Sequence, residues 1–130
     1  MNKWVLGAGI LSGITFFIHV IFGGWDVHTP LLESEIPLGL KAIVTIIWHT
    51  VSALILINTI ALFISASRRK YSGPLISIVS AQYIALAILF IFYGLLRLGT
   101  VWLMPQWIVF ILIPALAYLG IKNANLSEQT

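Results

Sequence analysis

Four long runs without a charged residue dominate this sequence of 130 residues. The runs cover residues 4–25, 42–67, 71–96 and 98–121, and a Lys, Arg or Asp bounds each of them at either end. The hydrocarbon core of a bilayer is about 30 Å thick, so about 20 apolar residues in a helix cross it once. Because lipid offers the backbone no hydrogen-bond partner, each run is predicted to form a helix rather than a strand.

The composition supports the same conclusion and excludes several classes of protein. Hydrophobic residues make up 60% of the chain and charged residues 8%, whereas a soluble domain carries about 25% charged residues. The net charge of +3 comes largely from Lys and Arg residues at the ends of the apolar runs, as in membrane proteins. It does not come from a basic face that would bind nucleic acid. The absence of cysteine excludes disulfides, thiolate metal sites and covalently attached c-type haem.

The predicted fold is an all-α membrane protein in which four transmembrane helices form one antiparallel, up-and-down bundle. Gly23–Gly24 is expected to end the first helix, proline is expected in the first turn of the other three, and Pro114 is expected to kink the last. A cleaved signal peptide over residues 1–24 is disfavoured, because this stretch has one Lys and no A-x-A cleavage site. The predicted helices cover about residues 3–24, 37–67, 73–97 and 102–122, followed by a polar, frayed tail at 123–130.

The distribution of cations predicts how the chain is oriented. Cytoplasmic loops of membrane proteins carry an excess of Lys and Arg. The end of the bundle with both termini and the second loop has five such residues, and the opposite end has Lys41 and Arg97. We therefore expect both termini in the cytoplasm, in a bacterial inner membrane. The five residues are Lys3, Arg68, Arg69, Lys70 and Lys122.

Small and weakly polar residues at helical spacing predict which faces pack together, because apolar surface alone does not distinguish protein from lipid. Gly9 and Gly13 fit either packing within the chain or a homo-oligomer. Asn58 and Gln82 are interpreted as polar contacts between helices. The predicted inward stripes are Gly9, Ser12, Phe16, His19 and Gly23; Thr45, His49, Ser52, Leu56 and Thr59; Tyr83, Ala87, Phe90, Gly94 and Arg97; and Gln106, Phe110, Ile113 and Ala117.

Histidines and one acid are predicted to gather at the end of the bundle away from the termini. His19 lies near the end of the first helix, Asp26 and His28 follow in the expected loop, and His49 lies in the second helix. Ionisable groups inside a membrane are costly and are therefore candidates for function. Arg97 and Gln106 are expected to approach the same pocket from the third and fourth helices.

Imidazole and carboxylate together suit a transition metal such as Zn, Cu, Ni or Fe, so His19, Asp26, His28 and His49 are the candidate ligands. Alternatively, His19 and His49 could hold a haem as axial ligands. A plain structural interpretation, in which each histidine only bonds to a neighbouring helix, stays open, since no spacing matches a strong metal motif.

Three further roles stay open beside cofactor binding. One is a small homo-oligomeric transporter or channel with the histidines as pH-sensitive gates. Another is a scaffold or assembly subunit of a larger membrane complex. An enzyme that acts on lipid or quinone is the remaining alternative, although no catalytic motif is evident in the sequence.

Overall fold

The structure is a computed structural model that describes residues 1–126, and the side chains of all of these except 69–71 and 125–126. Residues 1–126 contain helices and no β-strand, as predicted. Four helical segments are long and apolar enough to cross a membrane, which supports an integral membrane protein. The elements are α1 (Lys3–Gly23), a π-helical turn (Gly24–His28), α2 (Thr29–Glu33), α3 (Leu38–Ser67), α4 (Arg69–Leu98) and α5 (Gln106–Leu126).

The first helix does not end at Gly23–Gly24, contrary to the sequence-based expectation. The helical backbone continues through the π-helical turn into α2, so that a segment of 31 residues extends from Lys3 to Glu33. Gly23 instead allows close packing: a Cβ atom there would lie 2.9 Å from the Trp48 ring. A π-helical turn inserts one residue into a helix and often marks a functional site. Asp26 and His28 therefore lie on helical backbone and not in a loop.

Three other boundaries also differ from the prediction. Helix α4 begins at Arg69, so Pro74 lies inside it, and Arg68 alone connects α3 to α4. Helix α5 begins at Gln106, immediately after Pro105, and continues to Leu126 through the first half of the expected tail. A helix that keeps its backbone hydrogen bonds within one segment avoids unpaired groups, which favours these longer helices. Residues 127–130 of the expected tail lie outside the described residues.

The four long helices form a closed ring of contacts, because α1 and α4 each pack against both α3 and α5. The apolar core lies inside this ring, and most other large apolar side chains are exposed on the outside, where lipid would surround them. Successive contacts of Asn2 with Ala66, Ser12 with Thr59 and His19 with Trp48 show that α1 and α3 run in opposite directions. The core consists of Val5, Ala8, Leu62, Ala66, Ile76, Val79, Tyr83, Ala87, Phe110, Ile113 and Ala117.

Buried hydroxyl groups join three of the helices in the middle of the bundle. The Ser12 hydroxyl lies 2.6 Å from Thr59 Oγ1 and 2.6 Å from the Tyr83 hydroxyl. Thr59 donates its own proton to the Ile55 carbonyl, so Ser12 donates to Thr59 and accepts from Tyr83. The inward stripes predicted for the first and third transmembrane helices contain Ser12 and Tyr83, and both side chains are buried.

The amino-terminal end of α1 is fixed to two other helices. The Asn2 side chain accepts hydrogen bonds from the backbone N–H groups of Trp4 and Val5, which caps α1. The same side chain donates to the Gly120 carbonyl of α5 at 2.7 Å, and the Asn2 backbone N–H donates to the Ala66 carbonyl of α3 at 2.9 Å. This residue therefore sets the relative height of α1, α3 and α5.

Candidate functional site

Three histidines and one tryptophan meet at the end of the bundle away from the chain termini. Helix α1 provides His19, the last residue of the π-helical turn is His28, and α3 provides Trp48 and His49. Because the helix continues beyond Gly24, His28 is held on the backbone of the same segment as His19. We call His19, His28, Trp48 and His49 the histidine–tryptophan cluster.

The Trp48 indole is the centre of this cluster. The His19 ring stacks on it with a centroid distance of 4.2 Å and an interplanar angle of 18°. The His28 ring also lies parallel to it, at 5.2 Å and 9°. Stacked aromatic pairs contribute about 0.5–1.5 kcal/mol each beyond the area that they bury. The indole therefore holds two imidazoles from one helical segment against α3.

His28 and His49 form a pair of imidazoles from two different helical segments. Their ring centroids lie 5.8 Å apart and their planes are inclined by 74°. His28 is half-buried and His49 is exposed, so the pair opens onto the surface of the protein. His28 Nε2 shares a hydrogen bond of 3.2 Å with the Thr45 hydroxyl, one turn before His49 on α3.

His19 has a different environment from the other two histidines. Its Nε2 atom is buried and has no hydrogen-bond partner among the described residues. A buried polar atom without a partner costs about 1–3 kcal/mol, and such atoms warrant a functional explanation. Stacking against Trp48 fixes the His19 ring. The unpaired nitrogen therefore belongs to a residue of the first membrane-spanning segment.

The other predicted site residues do not join the histidines. Asp26, Arg97 and Gln106 are exposed, and no hydrogen bond within the described part of the chain links any of them to a histidine. Among the described residues, no group of three or more His, Asp or Glu side chains is arranged to hold a metal ion. The proposed set of four ligands is thus reduced to one pair in contact, His28 and His49.

A haem held by His19 and His49 also fits this arrangement poorly. The α3 side chain that contacts the His19 ring is Trp48, at 4.2 Å, and His49 lies at the exposed surface. The Nε2 atom of His19 is buried, so a porphyrin iron could reach it only if neighbouring side chains moved.

The inward stripe predicted for α3 is displaced by about one residue at this end of the helix. Trp48 is half-buried and His49 exposed, whereas Ser52 and Thr59 are buried as predicted. Trp48, Ser52, Ile55, Thr59 and Leu62 recur at steps of four and three, the spacing of a packed helix face. This second stripe shares two residues with the predicted one, so the spacing alone could have revealed Trp48.

Asn58 is a second buried residue that lies outside the inward stripe predicted for α3. Its side chain is 2% exposed, and its Nδ2 atom has no hydrogen-bond partner among the described residues. Gln82 Oε1 on α4 is also buried and unpaired within that part of the chain. The sequence-based interpretation of these amides as polar contacts between helices is therefore not supported by a hydrogen bond at these two atoms.

Comparison of the chain with known protein families, with curated proteins and with solved structures finds no match. The candidate site is thus defined by its geometry alone.

Proposed function

We propose that this integral membrane protein binds a transition metal ion through His28 and His49. The observation that carries the proposal is the contact between these two imidazoles, whose centroids lie 5.8 Å apart on different helical segments. Two imidazole nitrogens that bind one ion at about 2.0–2.1 Å each place their rings at such a separation. Neutral imidazole is a ligand for Zn²⁺, Cu²⁺, Ni²⁺ and Fe²⁺.

The surroundings of His28 favour a ligand role. Histidines that bind a metal almost always donate their other ring N–H to a neighbouring oxygen, which fixes the tautomer. If Nε2–H donates to the Thr45 hydroxyl, Nδ1 is unprotonated and available to a metal ion. Trp48 holds the ring in place from a second direction. Thr45 and Trp48 are therefore positioning residues in this proposal.

Two protein ligands leave the remaining coordination positions to water or to a partner molecule. Structural zinc sites are closed by four protein ligands, whereas sites that exchange ligands keep open positions. Because His49 is exposed on the outside of α3, the open coordination positions can be filled by ligands from outside the chain. We therefore assign the site a role in receiving and releasing a metal ion, rather than in holding one permanently.

Metal titration of the purified protein against a chromophoric chelator tests the proposal. His28→Ala and His49→Ala should each abolish competition for Cu²⁺ or Zn²⁺, and Thr45→Val should weaken it by about 10–100-fold. His19→Ala is the matched control, because its ring contacts Trp48 and is not paired with His49. Equal loss of binding in all three alanine variants, or no loss in His49→Ala, would contradict the assignment.

A transport role has one observation in its favour, the unpaired Nε2 of His19 inside the first apolar helix. Metal uptake into proteoliposomes separates transport from binding alone. Transport should require His19, whereas metal binding at His28 and His49 should not. Gly9 and Gly13 are compatible in sequence with packing within the chain or with a homo-oligomer. Both lie close to α3 of the same chain: a Cβ atom at Gly9 would lie 3.3 Å from Phe63, and one at Gly13 3.5 Å from Thr59. An accessory subunit would instead show neither flux nor metal binding and would co-purify with a larger complex.

The up-and-down arrangement with both termini in the cytoplasm belongs to the same proposal. Its support is the charge distribution: Lys3, Arg68 and Lys122 lie at the end that carries the termini, and the described acids lie in the π-helical turn, α2 and the following loop. Reporter fusions test it. Alkaline phosphatase fused after Lys70 should be inactive and fused after Glu35 should be active.

A further inference from the structure

A large cavity opens at the end of the bundle opposite to the histidine–tryptophan cluster. Its volume is about 690 Å³, within the range of about 300–1,000 Å³ that is typical of small-molecule sites. All four long helices or their flanking residues contribute to its wall, which combines apolar side chains with hydroxyl and amide groups. We call it the terminal cavity. Its polar wall includes Asn2, Ser65, Ser67, Ser72 and Asn123.

Three described cations are sequence neighbours of residues in the cavity wall, and the described acids lie elsewhere. Lys3, Arg68 and Lys122 are exposed, and each adjoins a wall residue in the sequence: Asn2, Ser67 and Ile121 respectively. The acidic residues of positions 1–126 are confined to residues 26–35, at the other end of the bundle. The described charged side chains at this end of the bundle are therefore all positive, which favours an anion.

Three polar side chains of the cavity wall already donate hydrogen bonds within the protein. Ser65 and Ser67 donate their protons to the carbonyls of Ala61 and Phe63 on their own helix. The Asn2 side chain donates to the Gly120 carbonyl. Because these donors are already used, the cations at this end of the bundle must attract the anion. The cavity provides the space for it.

We propose that the terminal cavity binds the phosphate group of an anionic amphiphile. The cavity lies where the helices end and where the headgroups of a bilayer begin, so a phospholipid can place its headgroup there and keep its acyl chains in the membrane. Basic pockets between transmembrane helices bind anionic headgroups in this way. Free phosphate shares the same chemistry and is the other source of the anion. The site is separate from the histidine pair and does not depend on metal binding.

Native mass spectrometry of the purified protein with equal amounts of phosphatidylglycerol and phosphatidylcholine tests the cavity. The wild type should retain phosphatidylglycerol in preference. Gly73→Leu should abolish this retention, because Gly73 lines the cavity and a Cβ atom there meets nothing within 4 Å, which leaves room for a larger side chain at the wall. Gly7→Leu is the matched control, since Gly7 also has open space around it and lies outside the cavity wall.

Charge variants test the source of the attraction. Lys122→Gln and Arg68→Gln should each weaken phosphatidylglycerol binding by about fivefold, the effect of one cation near a membrane surface. Arg97→Gln removes one charge at the other end and should have no effect. An excess of inorganic phosphate is then added to the protein with bound phosphatidylglycerol. Loss of the lipid assigns the site to free phosphate, and retention of the lipid assigns it to lipid headgroups.

Two results would overturn the proposal. One is equal retention of the two lipids by the wild type. The other is unchanged phosphatidylglycerol binding in Gly73→Leu, which would show that the lipid binds outside the cavity.

Discussion

Gly120 is the position at which the structure leaves least room for an added methyl group. A Cβ atom there would lie 2.5 Å from Val5 Cγ2, 2.9 Å from Asn2 Oδ1 and 3.2 Å from Asn2 Nδ2. The neighbours cannot move freely, because Val5 is buried in the core and Asn2 bonds to three helices. Gly120→Ala is therefore expected to separate α5 from the start of α1.

The magnitude follows from three contributions. Overpacking of a filled interior costs about 1–3 kcal/mol, and disruption of the Asn2 cap of α1 costs about 1 kcal/mol more. Replacement of Gly by Ala inside a helix returns about 1 kcal/mol through helix propensity. The free energy of unfolding of Gly120→Ala should thus be about 1–3 kcal/mol lower than that of the wild type.

Reversible unfolding in mixed detergent micelles, followed by circular dichroism, measures this difference. Gly7→Ala makes the same chemical change on α1, where a Cβ atom meets nothing within 4 Å, so this control should be neutral or stabilised by up to about 1 kcal/mol. Gly120→Ala should therefore be less stable than the wild type, whereas Gly7→Ala should not. Equal stabilities of Gly120→Ala and Gly7→Ala would refute the packing at this helix crossing.

Further predictions concern the buried hydroxyls, the indole and the imidazole pair. Ser12→Ala should lower the free energy of unfolding by about 1–3 kcal/mol, because it leaves the Tyr83 hydroxyl unpaired. Tyr83→Phe should lower it by less, about 0.6 kcal/mol. The reverse order in the same micelle assay would contradict this prediction. Because Trp48 is half-buried, Trp48→Ala should cost less than the roughly 3–5 kcal/mol of a fully buried tryptophan. It should also shift the NMR signals of the stacked His28 ring, and unchanged signals would exclude the stacking. Acidification should release bound Cu²⁺, since imidazole binds metal only when unprotonated; chelator competition at two pH values checks it, and pH-independent affinity would exclude an imidazole site.

The number of helices could be predicted from sequence because lipid leaves few alternatives to the backbone. An apolar run bounded by charges must form a helix across the hydrocarbon, whatever the details of its side chains. The ends of the helices were less predictable. Gly23–Gly24 and Pro74 are turn signals in water, where an unpaired carbonyl can bond to solvent, but both lie within helical segments here.

The candidate site was predictable by region but not by residue. The histidines share one end of the bundle in the sequence-based analysis and in the structure. Trp48, and not His49, lies on the packed face of α3, because its large ring fits against Gly23, which has no side chain. The spacing of small polar residues along α3 does not indicate this contact. The triple contact of Asn2 was also missed, since bonds to Ala66 and Gly120 join residues far apart in sequence.

Electron paramagnetic resonance of the purified protein with one equivalent of Cu²⁺ tests the metal assignment most directly, because superhyperfine splitting from nitrogen nuclei counts the coordinated nitrogens. We expect a spectrum with two imidazole nitrogens, which His49→Ala reduces to one and His19→Ala leaves unchanged. A spectrum of unbound Cu²⁺ in the wild type, or one that changes with His19 and not with His49, would contradict the assignment of His28 and His49 as the ligands.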